Sequence, residues 1–124
     1  MNTVISTPKA PAAVGTYSQA IKAGNTVYCS GQIGLDPATG TMVEGVVAQA
    51  NRAFDNLEAV LAQAGAKMTD VVKFTIFLTD INDFSQVNEV MAAHVPTPYP
   101  ARSCMQVAAL PKGALVEVEA IAVI

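Results

Sequence analysis

Between residues 46 and 79 the hydrophobic rhythm of this chain changes, and that change limits the folds open to it. Val46, Ala50, Ala53, Phe54, Leu57, Val60, Leu61 and Ala64 recur at the spacing of one helix face. Gln49, Arg52, Asn56 and Gln63 lie off that stripe. Gly65 follows as a stop, because glycine takes the left-handed conformation that ends a helix without a Cβ clash. The chain then enters residues 71–79, dense in the β-branched and aromatic side chains of a strand. Val72, Phe74, Ile76 and Leu78 form an apolar face, and Val71, Lys73, Thr75 and Phe77 a mixed one. A one-sided helix followed by such a strand calls for helix packed on sheet.

The remaining segments extend this pattern. Residues 1–13 are rich in Pro and Ala and read as a short strand followed by an extended arm. Residues 19–23 and 26–33 read as two strands around the turn pair Gly24-Asn25. Asp36-Pro37-Ala38-Thr39-Gly40 is a strong turn signal. Asp83 with Gln86 three residues on resembles a capping box, with Asp in place of Ser or Thr. It predicts a second helix through Ala93, ended by Pro96 and Pro98. Two strands, about 101–108 and 114–124, close the chain. The order β-β-β-α-β-α-β-β predicts an α+β fold of one domain over residues 1–124. Its six strands form a sheet with both helices on one face.

Of the 124 residues, 52% are hydrophobic and only 14% charged. A small domain exposes much surface for its volume and needs polar cover. This chain is short of it, so part of its surface is expected to be covered in a homo-oligomer packed sheet to sheet. The net charge is −3, with no cluster of Lys or Arg, which argues against a phosphate-tracking nucleic-acid surface. No apolar run approaches the roughly 20 residues of a membrane-spanning helix. Lys9 lies between Pro8 and Pro11 with no unbroken apolar stretch after it, unlike a signal peptide. The arginines of a transit peptide are missing too, so the cytoplasm is expected. Two cysteines, Cys29 and Cys104, are too few for a disulfide framework. With His94 the sole histidine, no metal-ligand set has a recognisable spacing.

The candidate chemistry lies near the C-terminus. Tyr99-Pro100-Ala101-Arg102-Ser103-Cys104 precedes the strand-like run 115–123, so Arg102 and Glu117 fall on apolar segments able to pair as neighbouring strands. Buried charges are costly unless partnered, and an arginine's planar fork matches a carboxylate at two points. The expected site therefore takes a carboxylate-bearing small molecule, with a glutamate nearby to handle water. Alternation puts Arg102, Cys104 and Gln106 on one side of their strand. It puts Glu117 and Glu119 together on one side of theirs, either as exposed or paired structural charges or as a pocket carboxylate beside an ion pair with Lys73 or Arg102. A nucleophilic role for Cys104 would need a nearby base or positive charge, and His94 reads as a surface histidine at a helix end. Ser30-Gly31 inside a strand marks a bulge or a close backbone approach to a ligand.

Taken together, these pieces resemble the reactive intermediate deaminase (Rid, YjgF or L-PSP) family over nearly the whole chain. The anchors, in order, are Ala10–Ala20, Ser30-Gly31-Gln32, Asn82-Asp83-Phe84 with Val87-Asn88, Pro100–Cys104, and Val116–Ala120. Arg102 and Cys104 together with Glu117 resemble the RidA subgroup. The resemblance implies a chorismate-mutase-like homotrimer, with sheets facing a central barrel and sites in clefts between subunits. It implies hydrolysis of enamines and imines such as 2-aminoacrylate to 2-keto acids and ammonia, with no metal or organic cofactor. It also implies roles: Arg102 for the substrate carboxylate, Glu117 to orient and activate water, and Tyr17, Ser30 and Asn88 to line the cleft. Gly31 and Cys104 would add backbone contacts. Two positions depart from the family pattern: Thr16 stands where proline commonly precedes the tyrosine, and the segment between Asn88 and Pro100 is shorter than usual. A non-catalytic, carboxylate-binding or chaperone-like trimer is the alternative. A ribonuclease or translation inhibitor is disfavoured by the single histidine and the negative charge.

Overall fold

The computed structural model describes residues 2–124. Its strands are β1 (Thr3–Ile5), β2 (Ala20–Ala23), β3 (Thr26–Gln32), β4 (Val71–Leu78), β5 (Ala101–Gln106) and β6 (Val116–Val123). Helices α1 (Val46–Gln63) and α2 (Phe84–His94) complete the α+β fold. One six-stranded sheet runs in the order β1-β2-β3-β6-β4-β5. All pairings are antiparallel except β4 with β5, which run parallel on either side of α2.

The apolar stripe of α1 does what its spacing requires. Ala50, Ala53, Phe54, Leu57, Val60 and Leu61 are fully buried against the sheet, at about 1.5–3 kcal/mol for each large side chain. Facing them are Val27, Phe74, Ile76, Leu78, Val116, Val118 and Ala122, and the Phe54 and Phe74 rings meet edge to face at 5.7 Å. Gly65 ends the helix at φ +81°, with its N–H donating to Ala62 O.

Two polar residues off the stripe are nonetheless buried, because they satisfy backbone groups of the adjoining loops. Asn56 Nδ2 donates to Ile33 O and Leu35 O, while its Oδ1 accepts from Arg52 Nε. Gln49 Oε1 accepts from Leu115 N, tying α1 to the start of β6. In the N-terminal arm, the buried Gln19 side chain accepts from Thr7 N and donates to Thr7 O, Ala10 O and Pro11 O.

Several expectations are corrected here. A register irregularity in β4 between Val71 and Lys73 turns Val71 inward and leaves Val72 exposed. Asp83 makes no capping hydrogen bond; a helical turn at Ile81–Asp83 precedes α2, and it is Asp80 that accepts from Asn82 N. His94 is not a free surface residue: its ring stacks on Phe54 at 5.4 Å and its Nε2 pairs with Asn51 Oδ1. The C-terminal strands are not neighbours either, since β4 lies between β5 and β6.

Helices cover only one sheet face. Ladder partners point to the same side, so Tyr28, Ile121 and Lys73 line up on the other face, as do Glu117, Phe77 and Met105. Tyr28, Met105 and Val123 are about half exposed there. Among the described residues no helix is long and apolar enough to cross a membrane.

Candidate active site

Arg102 belongs to the helix side of the sheet. Its ladder partner is Phe74, fully buried under the helices. Helix α2 presents Phe84, Asn88 and Met91 along one face, at i, i+4 and i+7. The guanidinium lies 4.9 Å from the Phe84 ring centroid. It donates to Asn88 Oδ1 at 2.5 Å and to Met91 Sδ at 3.8 Å. No carboxylate pairs with it among the described residues, where the one contact between a carboxylate and a basic side chain is that of Asp55 with the His94 ring. Arg102, Asn88, Met91, Ala92, Tyr99 and Pro100 line a cavity of about 390 Å³. A positioned cation with apolar walls and no anion of its own suits a small carboxylate.

Cys104 shares that face through its partner Ile76. Burial pushes its thiol up, and the nearby Arg102 pulls only partly the other way. Cys29 is buried, its thiol pushed up to about 12. Neither sulfur is poised as a thiolate nucleophile.

Glu117 points the other way. Its partner is Phe77 on the open face, where a cavity of about 520 Å³ is lined by Tyr17, Ser30, Gly31, Lys112, Glu117 and Glu119 among others. The Ser30 hydroxyl donates to Ser18 O at 2.6 Å, and Ser30 N donates to Gln19 O. Together they pin the loop that carries Tyr17. Burial, and secondarily the Glu119 charge, raises the Glu117 pKa above the ordinary carboxylate range. A half-buried carboxylate so tuned can take and return a proton closer to neutrality. Neither Glu117 nor Glu119 forms an ion pair with Lys73 or Arg102.

The residues singled out from the sequence thus fall into two groups on opposite faces. Arg102, Asn88 and Cys104 lie on the helix side; Glu117, Tyr17, Ser30 and Gly31 lie on the open side. Phe84 and Met91, which lie against the Arg102 guanidinium, and Tyr99, which lines its cavity, were given no site role from the sequence. The i, i+4, i+7 spacing of Phe84, Asn88 and Met91 is the signal that could have found the first two.

Comparison with known proteins bears on this arrangement. The family described as Endoribonuclease L-PSP matches residues 7–124. The goat protein named 2-iminobutanoate/2-iminopropanoate deaminase is 54% identical over 121 residues, covering 97% of this chain and 88% of that relative. The human protein of the same name is 51% identical over the same shares. The crystal structure of RidA from an Antarctic Psychrobacter superimposes with TM-score 0.97 at 56% identity, covering 98% of this chain and 99% of that one. This chain therefore belongs to the Endoribonuclease L-PSP family and, within it, to the RidA-type reactive intermediate deaminases.

Proposed function

We propose that this chain is an enamine/imine deaminase, a single Rid-type domain that hydrolyses intermediates such as 2-aminoacrylate to 2-keto acids and ammonia. The observation that carries this reading is Arg102, held by Asn88, Phe84 and Met91 in an apolar-walled cavity with no carboxylate of its own. The relatives named as imine deaminases act on acids of this kind.

In this reading Arg102 grips the substrate carboxylate through paired N–H donors. The enamine, once protonated at its β carbon, is the iminium, the conjugate acid of the imine. Glu117 takes a proton from water as the water oxygen adds to the C=N carbon. Returning that proton to the carbinolamine nitrogen makes ammonia the leaving group; as the C–N bond breaks, the oxygen lone pair forms the C=O bond and the hydroxyl proton passes back to Glu117, leaving the keto acid and ammonia. Imines of this type already hydrolyse in water, so orientation and modest proton transfer suffice, and no step calls on a cofactor. Tyr17, Ser30, Asn88 and the backbone at Gly31 and Cys104 frame the bound acid.

Arg102 and Glu117 can meet only if two copies bring the helix-side cavity of one against the open-face cavity of the next. A closed homotrimer with open faces inward does this three times, and it also covers Tyr28, Met105 and Val123. The working compartment in this reading is the cytoplasm. Supplying 2-aminoacrylate from a coupled enzyme and following keto-acid release is the test. If Arg102→Ala and Glu117→Ala both kept the parent rate, this mechanism would be abandoned.

A further inference from the structure

We infer that Gly31 is a positioning residue, whose missing side chain is the seat of the Glu117 carboxylate. The inference rests on the reading of Glu117 as the group that handles water, and adds what holds it in place.

Two independent observations converge on this glycine. The first is the ladder between β3 and β6. Cys29 pairs with Ala120 and Gln32 with Val118, so two residues of β3, Ser30 and Gly31, face the single Glu119 of β6. Cys29 and Gln32 are both buried toward the helices although three positions apart. Strict alternation forbids that. A bulge allows it by turning Ser30 and Gly31 together toward the open face, beside Glu117.

The second observation is the space at Gly31. A Cβ built there would lie 2.9 Å from Glu117 Cγ, 2.6 Å from its Cδ and closer still to Oε2. Its three nearest neighbours all belong to that one side chain. The chain's backbone does not explain this glycine. Gly15, Gly24, Gly40, Gly45, Gly65 and Gly113 have positive φ and open space beside them. Gly31 is the reverse: its φ lies outside that region, and what crowds an added Cβ most closely is the outer half of the Glu117 side chain, from Cγ to the carboxylate. Gly34 is crowded too, but by the Cα and side chain of Gln49 in α1.

The obstacle at Gly31 is therefore the end of a flexible side chain. An added methyl leaves the fold standing and drives the Glu117 carboxylate outward into solvent. Gly31→Ala is the test, with the Glu117 carboxyl followed by ¹³C NMR through a pH titration and assigned against Glu117→Gln. We expect the Glu117 titration to move to lower pH as the group is hydrated. We also expect kcat for 2-aminoacrylate to fall about tenfold or more, with KM within about twofold. An unchanged or raised titration overturns the inference, including when KM alone rises, which would mean that the added methyl obstructs the ligand and not the carboxylate. Should Gly31→Ala lower Tm, the combination with Glu117→Ala decides: with the carboxylate trimmed away the methyl costs nothing, and a cost that persists overturns the inference. If the parent chain hydrolyses no imine, the proposed function fails alone, since the titration still reads the seat.

Discussion

Arg102 and Glu117 occupy opposite faces of one sheet, so a site using both must borrow one of them from a neighbouring copy. Complementation between two inactive variants tests this. In the proposed mechanism Arg102→Ala lacks the carboxylate anchor and Glu117→Ala lacks the water-handling group, and in the proposed trimer neither variant alone has a complete site. Unfolding them together at equal concentration and refolding reassorts the subunits. In a closed ring each site takes Arg102 from one subunit and Glu117 from the next. About three quarters of randomly assembled trimers are then mixed, and every mixed ring, whichever variant predominates, contains one intact junction out of its three. Roughly one quarter of the parent activity per subunit should return. Keto-acid release from coupled 2-aminoacrylate measures it, with native mass spectrometry verifying that mixed trimers formed. Activity no greater than the sum of the separate variants, in a sample shown to be mixed, would refute the shared site, because residues serving one subunit cannot complement across two.

The pKa shift of Glu117 has two further consequences. The acid limb of kcat/KM should lie above the ordinary carboxylate range, and Glu119→Gln should move it down by removing the like charge; a pH profile that stays put or moves up counts against this. A carboxyl whose folded-state pKa is raised favours the fold while protonated, and that contribution is lost as pH rises through the raised value. Glu117→Gln should therefore gain Tm over the parent as pH climbs above the usual carboxylate range, with the gap closing in acid, as thermal melts across pH would register. Phe84→Leu removes the ring beneath the guanidinium, worth about 0.5–1 kcal/mol. A two- to fivefold rise, roughly, in the Kd of a small keto acid is expected by calorimetry, and unaltered affinity would mean that the ring plays no part. Gln19→Ala strands backbone groups at Thr7, Ala10 and Pro11. It should cost about 2–4 kcal/mol in denaturant melts and speed hydrogen exchange in residues 7–18; a cost below about 1 kcal/mol would show that this staple is dispensable.

Legibility followed the range of each interaction. The period of residues 46–64 specified α1, the β-branched run specified β4, and alternation put Glu117 and Glu119 on one side of β6, because such patterns depend on residues a few positions apart. The bulge at Val72 depends on the partner strand, so the face assigned to Val72 was wrong; Gly31 did signal the bulge in β3, but not that the Glu117 side chain lies against it. Asn56 and Gln49 looked like solvent-side residues because nothing local reveals which distant carbonyl or N–H needs a partner. Strand order is longer in range still. Placing β4 between β5 and β6 set Arg102 under α2 and Glu117 on the bare face.

The residue types alone raised the expectation of an acid-binding guanidinium and a carboxylate for water, since charge and hydrogen-bonding capacity belong to a side chain wherever it lies. Whether the two could meet inside one subunit was a matter of direction across a sheet, and direction exists only once strands have paired.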